Sequence, residues 1–265
     1  MIKGSDFAMN YSIVAKKDEK SYEIENIVKE RLNAEGWVYD KENPKLVICV
    51  GGDGTLLYAV HQYLRCINEI HFIGVHTGTL GFFTDYTESQ IEDFIQDLLH
   101  KQHVTFESKL LRIQLDNVKE PFYALNEMRI ENIIKSQRVD VYIDDEFFET
   151  CRGSGVCLST QAGSTAYNRS LDGAVIDSGL SLLQLAEITP IQHSKHRSLA
   201  NPYVMMDNRV IKMRSDTFDT AVLCYDHLNF SLENTQEIVC EMSTLKVKFA
   251  RYKEYSYLKR LKNLY

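Results

Sequence analysis

The feature that most restricts what this chain can fold into is an apolar run, Leu46-Val47-Ile48-Cys49-Val50, that empties into Gly51-Gly52-Asp53-Gly54-Thr55. A short continuous apolar run bounded by a glycine turn reads as a strand buried on both faces, the habit of parallel sheets covered by helices. Glycines 51, 52 and 54 can take φ > 0 and leave no Cβ in the way of a ligand. A helix predicted from Thr55 to about Ile67 presents free N–H groups and a positive dipole end to an anion. Gly51, Gly52, Gly54 and Thr55 are therefore candidate phosphate-binding residues. Asp53 needs a separate reason, because a carboxylate repels phosphate. It either holds a Mg²⁺ that bridges to phosphate or accepts a proton from an attacking hydroxyl. Capping of the following helix is the plain structural alternative.

The rest of the first hundred residues repeats this rhythm. Tyr11–Ala15 reads as a strand, about Asp18 to Glu35 as a helix stopped by Gly36, and Phe72–Val75 as a strand that runs into His76-Thr77-Gly78-Thr79-Leu80-Gly81. Thr87 and Gln90 have capping-box spacing and open a helix to about His100. Alternating strands and helices predict an α/β domain over residues 1–102, a parallel sheet covered on both faces. Residues 1–8 read as an extension, with Met9 a plausible start. After about residue 103 the pattern turns to strands: 109–115, 122–132, 138–149, 155–159, 203–213, 219–232 and 236–250, with only 165–189 offering a helix. This predicts a mostly β domain over 103–249, a sandwich or a curled sheet. The basic, aromatic C-terminus from Arg251 reads as a solvated tail or a surface return to the first domain.

Composition matters here mainly for what it excludes. A formal charge of −7 argues against a nucleic-acid partner, whose footprint is basic. No run reaches the ~18 apolar residues of a membrane span, and the N-terminus lacks a secretion signal, so the expectation is a cytoplasmic protein without a membrane partner. The six cysteines form no C-x-x-C pair and the histidines no H-x-x-x-H spacing, so no metal-ligand set is expected in the chain.

Two further places carry polar groups that need partners. Ser159-Thr160-Gln161-Ala162-Gly163-Ser164-Thr165-Ala166-Tyr167 follows a strand and is expected to open the helix of the β half; its hydroxyls suit an anion or a ribose, and the Tyr167 ring can stack on a base. Asn126-Glu127 interrupts the apolar Phe122–Leu125; ribose hydroxyls or a neighbouring strand's backbone would satisfy it.

GGDGT, then Asn126-Glu127 about 70 residues on, then G-S-T-A-Y ending at Tyr167, in that order, resemble the NAD kinases, most closely the short enzymes of Gram-positive bacteria. The likeness extends to Gly74-x-His76-Thr77-Gly78-x-Leu80-Gly81-Phe82, Asp226-His227 and Phe249-Ala250-Arg251. GGDGT alone is less specific, since lipid kinases share it. The resemblance implies an enzyme that transfers the γ-phosphoryl group of ATP, or in some members polyphosphate, to the adenosine ribose 2′-hydroxyl of NAD, with Mg²⁺ arriving with the nucleotide. It implies Asp53 as general base, Asn126 and Glu127 on adenosine, and Thr165, Ala166 and Tyr167 lining the pocket with Ser170 nearby. Gly54 would also touch NAD, as would Phe83, which stands where relatives often carry tyrosine, and Arg152 and Ser154 at the nicotinamide end. It further implies an N-terminal Rossmann-like three-layer α/β domain and a C-terminal all-β sandwich domain, with about 250–265 returning to the first domain, and NAD lying between the domains and across a subunit contact of a homodimer or homotetramer.

Some positions depart from the family pattern. Gln161-Ala162 replaces a proline and a hydroxyl residue, Leu171-Asp172-Gly173-Ala174 puts a charge among expected small residues, and Ser154 stands where Gram-positive relatives carry aspartate. These changes bear on NAD affinity and on NAD-over-NADH preference more than on phosphoryl transfer. A dinucleotide-binding relative with little turnover and a lipid-type kinase of the same superfamily are the competing readings.

Overall fold

The computed structural model describes residues 9–78, 81–192 and 197–262. The expected extension 1–8, Thr79-Leu80 of the glycine-rich loop and the last three residues of the C-terminal return lie outside them. The chain divides into two compact units, residues 1–108 with 246–265 and residues 109–245.

The first unit opens with β1 (Asn10–Ala15), α1 (Glu19–Ala34), β2 (Val38–Tyr39), β3 (Leu46–Val50) and α2 (Asp53–Gln62). It continues with β4 (His71–His76), β5 (Tyr86–Thr87) and α3 (Ile91–His100). The Asp18 carboxylate caps α1 by accepting from the Ser21 N–H at 2.9 Å, and Ile24, Val28 and Leu32 bury one face at helical spacing. The strands lie parallel in the order β2-β1-β3-β4. β2 pairs on one side of β1 and β3 on the other, so the topology reverses between β1 and β3. Ligands of open α/β sheets bind outside the carboxyl ends of the strands at that point, and the glycine turn leaves β3 there.

The second unit is built of β6 (Val104–Leu115), on which the chain enters it, β7 (Phe122–Ala124), β8 (Glu127–Glu131), β9 (Gln137–Ile143), β10 (Glu146–Gly153) and β11 (Gly155–Thr160). Then come β12 (Leu182–Ile188), β13 (Tyr203–Met206), β14 (Ile211–Arg214), β15 (Val222–Tyr225) and β16 (Leu228–Ser231). β17 (Glu237–Arg251) leads back to the first unit, where its end pairs parallel with β4 (Phe249 beside Phe72) and α4 (Tyr257–Leu261) follows. One antiparallel sheet has the order β13-β12-β11-β8-β15-β16, and a second contains β10-β9-β14-β17. Met128, Ile130, Val156, Leu158, Leu183 and Leu185 of the first sheet share one core with Val139, Val141, Ile211, Met213 and Ile238 of the second. Two sheets that bury alternate residues against each other make a sandwich. No helix among the described residues is long and apolar enough to cross a membrane.

Several elements differ from expectation. The helix predicted over 165–189 is absent: 3₁₀ turns cover Ala162–Thr165 and Tyr167–Leu171, and β12 follows. The period-2 placement of Leu183 and Leu185 around Gln184 is a strand signal, and Asp172, at φ 58°, ends the second turn. The run 138–149 is a hairpin, because Asp144 and Asp145 both take positive φ, the requirement of a type I′ turn. The run 219–232 breaks likewise at Asp226, at φ 48°. α2 begins at Asp53 rather than Thr55 and gives way after Gln62 to a 3₁₀ stretch over Leu64–Glu69. Of the three turn glycines only Gly51 has positive φ; Gly52 is the extended N-cap of α2 and Gly54 lies inside it. The C-terminus is no solvated tail, since Arg251 and Arg260 are buried in the first unit.

Candidate active site

The first unit gathers one group of residues around the glycine turn. Asp53 heads α2, where the first N–H groups of a helix lack intrahelical acceptors. Its carboxylate does not cap that helix. Oδ2 accepts the Phe82 N–H at 2.8 Å and Oδ1 the Phe83 N–H at 3.0 Å, so a loop nearly thirty residues away fixes the rotamer. Phe83 thus meets Asp53 through its backbone, while its ring stacks on Phe249 at 5.6 Å. Gly81 lies so close that a Cβ there would sit 2.3 Å from Asp53 Oδ1. His76, at the end of β4, packs its Nε2 against Gly52 and accepts the Gly78 N–H on Nδ1 at 2.8 Å. That bond requires an unprotonated Nδ1. Burial accordingly holds the imidazole below its usual range, with the Asp53 charge pulling the other way. Thr55 turns its hydroxyl toward Gly51, where a Cβ would be 2.2 Å from Oγ1.

The second unit gathers another group. Asn126 and Glu127 sit where β7 gives way to β8, and both are buried. The tight turn at Asp226 returns that residue's carboxylate to this break: its two oxygens accept the Leu125 and Asn126 N–H groups, each at 2.8 Å. The Asp226 N–H in turn donates to the Glu127 carbonyl at 3.1 Å. The backbone is thereby satisfied, yet Asn126 Oδ1 and Glu127 Oε2 find no hydrogen-bond partner among the described residues. Buried polar atoms without partners in a native structure call for an explanation such as a ligand. Burial first, then the Asp226 charge, push the Glu127 carboxyl up to about 7, against Arg129 and the Tyr167 backbone N–H, which stabilise its anion.

The hydroxyl-rich loop closes over the same place. Thr160 donates its hydroxyl to the Leu125 carbonyl at 2.6 Å and accepts the Gly163 N–H at 3.2 Å. A Cβ on Gly163 would stand 2.1 Å from the Asn126 carbonyl oxygen, so only glycine lets the two backbones meet. Ala166 bonds back to Gly163, between the half-buried Thr165 and Tyr167. One face of the Tyr167 ring is covered by the Arg129 guanidinium at 3.9 Å, which is itself paired with Glu131 at 2.5 Å. Arg129 escaped the sequence analysis. Its signal is the spacing Glu127-x-Arg129 on one strand, which puts both side chains on one face.

The remaining candidates form a separate neighbourhood. Ser154, in the bend between β10 and β11, receives the Thr189 hydroxyl at 2.5 Å. Thr189, Ser170, Asp172 and Glu187 line a cavity of about 270 Å³. Arg152 is exposed on β10, and no described contact brings it to Asn126 or Tyr167. Two of the departures noted in the sequence, Gln161 and Asp172, keep a backbone that the family's residues would also take. Gln161 has φ −56°, the angle a proline would impose, and Asp172 holds a left-handed φ of 58°, which glycine or a small polar residue accepts.

A phosphate-type turn bearing an acid on a parallel sheet, and buried acceptors on a β-sandwich in the same chain, are the equipment of a phosphotransferase. Residues 7–104 match the family model described as the ATP-NAD kinase N-terminal domain, and residues 125–252 that of the ATP-NAD kinase C-terminal domain. NAD kinase 1 of Oceanobacillus iheyensis is 36% identical over 260 residues, 96% of this chain and 97% of that one. A yeast NADH kinase solved with NADH has the same fold, with a TM-score of 0.83 at 17% identity, covering 98% of this chain and 88% of that one. An Archaeoglobus fulgidus NAD kinase solved with ATP has a TM-score of 0.75 at 23% identity, covering 97% of each chain. This chain belongs to the NAD kinase family.

Proposed function

We propose that the protein is a cytoplasmic NAD kinase that transfers the γ-phosphoryl group of ATP, or of polyphosphate, to the adenosine ribose 2′-hydroxyl of NAD, giving NADP. The observation that carries the reading is the Asp53 carboxylate, which heads α2 beside the phosphate turn yet is held by Phe82 and Phe83 instead of capping the helix. A protein that only bound dinucleotide would have no use for an acid fixed there. Asp53 accepts the hydroxyl proton as the oxygen attacks the γ-phosphorus, and the bond from that phosphorus to the β-phosphate oxygen breaks, with ADP as the leaving group. Gly51, Gly52, Gly54 and Thr55 receive the phosphates, whose charge is offset by backbone N–H groups and by Mg²⁺ entering with the nucleotide. Asn126 Oδ1 and Glu127 Oε2 fit the hydrogen-bonding groups of an adenosine, because both are buried and neither has a partner among the described residues. Thr165, Ala166 and Tyr167 line that pocket; Gly54 and Phe83 of the first unit are assigned to NAD as well, and Arg152, Ser154 and Ser170 to its nicotinamide end. The division of labour follows residues 1–102 and 103–249, and the working form is a homodimer or homotetramer.

Against the weakly active dinucleotide binder stand Gln161 and Asp172, whose φ values are ones that proline and glycine would take at those positions. The test is to incubate the protein with Mg²⁺, ATP and NAD and to follow NADP with a coupled NADP-dependent dehydrogenase. Asp53→Asn should lower kcat by ~10²–10⁴-fold and leave NAD binding nearly intact. No NADP from the wild-type protein sinks the function. Undiminished turnover in Asp53→Asn sinks the assigned base alone.

A further inference from the structure

The loop that holds Asp53 is itself held from behind by the C-terminal segment. The Phe82 N–H that donates to Asp53 Oδ2 belongs to the peptide group whose oxygen is the Gly81 carbonyl, and that oxygen accepts from Arg260 Nη1. The Phe83 N–H that donates to Asp53 Oδ1 belongs to the peptide group whose oxygen is the Phe82 carbonyl, and that oxygen accepts the Tyr255 hydroxyl at 3.3 Å. A peptide group is planar, with its N–H and C=O pointing in opposite directions. Fixing the oxygen of each therefore aims its hydrogen at the carboxylate. Hydrogen bonds in a chain also polarise one another, so a carbonyl that accepts from a guanidinium makes the N–H across the plane a better donor.

The anchor behind these contacts is built to be rigid. Arg260 also donates to the Thr84 carbonyl and, through Nη2 at 2.7 Å, to Asp85 Oδ1. Arg251 pairs with the same Asp85 oxygen at 2.6 Å, and the three side chains are 5–6% exposed. The Tyr255 ring lies against both guanidinium groups, 4.5 Å from each. Resting on the reading of Asp53 as the base, we infer that Arg260 and Tyr255 are positioning residues for phosphoryl transfer, setting the Asp53 carboxylate through the Gly81–Phe82 and Phe82–Phe83 peptide groups.

The test is a cycle in the NADP-forming assay: wild type, Asp53→Asn, Arg260→Ala and the double variant, each with kcat, the NAD KM and the thermal midpoint. Misplacing a reacting group by about 1 Å costs ~10²-fold, so Arg260→Ala should lower kcat about 10²-fold. The NAD KM should stay within about threefold. In the Asp53→Asn background the same change should cost less than about threefold more, because the carboxylate it serves is already gone. A purely structural role would multiply the two losses, and that result overturns the inference while leaving Asp53 as the base. Full turnover in Asp53→Asn overturns both. Should Arg260→Ala not fold, Arg260→Lys keeps a charge beside Asp85 but lacks the planar fork that reaches both carbonyls, and Tyr255→Phe keeps the ring and loses one bond. In folded protein each should lower kcat roughly tenfold and show the same non-additivity with Asp53→Asn. Wild-type kcat in both overturns the inference.

Discussion

Gly81→Ala isolates the geometry of the proposed base. The obstacle to alanine at Gly81 is the space taken by the Asp53 carboxylate. The added Cβ would lie 2.3 Å from Asp53 Oδ1 and 2.6 Å from Oδ2 and Cγ. Restoring ordinary contact, roughly 3.5 Å, asks for a displacement of about 1 Å. The carboxylate cannot yield alone, because both its oxygens are bonded to the N–H groups of the next two residues, Phe82 and Phe83. A shift of about 1 Å in a reacting group is worth ~10²-fold in rate, or about 2.7 kcal/mol in the barrier. The coupled NADP assay should therefore give a kcat near 1% of wild type. The NAD KM should change little, because the adenosine acceptors are proposed to be Asn126 and Glu127. The thermal midpoint, measured alongside, tells displacement of the base from loss of the fold. A folded Gly81→Ala protein with kcat within about threefold of wild type would refute the idea that the Asp53 position governs turnover.

The Glu127 carboxyl stands at about 7 in the folded chain against 4.5 for an ordinary glutamate. Between those values the unfolded chain has lost the proton and the native chain keeps it, so stability falls as pH rises through that window, by roughly 3 kcal/mol in all. Glu127→Gln should flatten this dependence in denaturation curves between about pH 4.5 and 7, and an unchanged slope would count against a buried, protonated Glu127. Asp226→Ala leaves the buried Leu125 and Asn126 N–H groups without their acceptor. It should destabilise by about 3 kcal/mol in denaturant titration and raise the NAD KM at least tenfold; a NAD KM within twofold of wild type would show that Asp226 does not order the site. Gly163→Ala drives a Cβ into the Asn126 carbonyl with backbone on both sides. It should cost about 2 kcal/mol and weaken NAD binding by calorimetry, and unaltered binding would mean that the loop does not depend on this contact.

Local order was legible wherever one chain segment decided the outcome by itself. The apolar run Leu46–Val50 can only be a buried strand, and the Thr87/Gln90 pair forms the capping box its spacing announces. The type, though not the boundaries, of most strands after residue 103 could be read from period-2 alternation. The stretch 165–189 misled because hydroxyls, glycine and apolar residues mix there without period until Leu182. Its fold is set by Asn126 and Gln184: the first meets Gly163, and the second accepts the Ala174 N–H at 2.8 Å.

For the candidate site the division has a physical basis. The sequence by itself determined which residue types are present, a single acid in a glycine turn and a polar pair at the end of an apolar run, each open to a structural reading as well as to a ligand. Tertiary structure decided what each group faces. Asp53 is oriented by N–H groups of residues 82 and 83, Asn126 by the carboxylate of residue 226, and the loop behind Asp53 by Arg251 and Arg260. Hydrogen bonds over such separations leave no periodic trace in a sequence, since a donor a hundred residues away is near only once the sheets have formed.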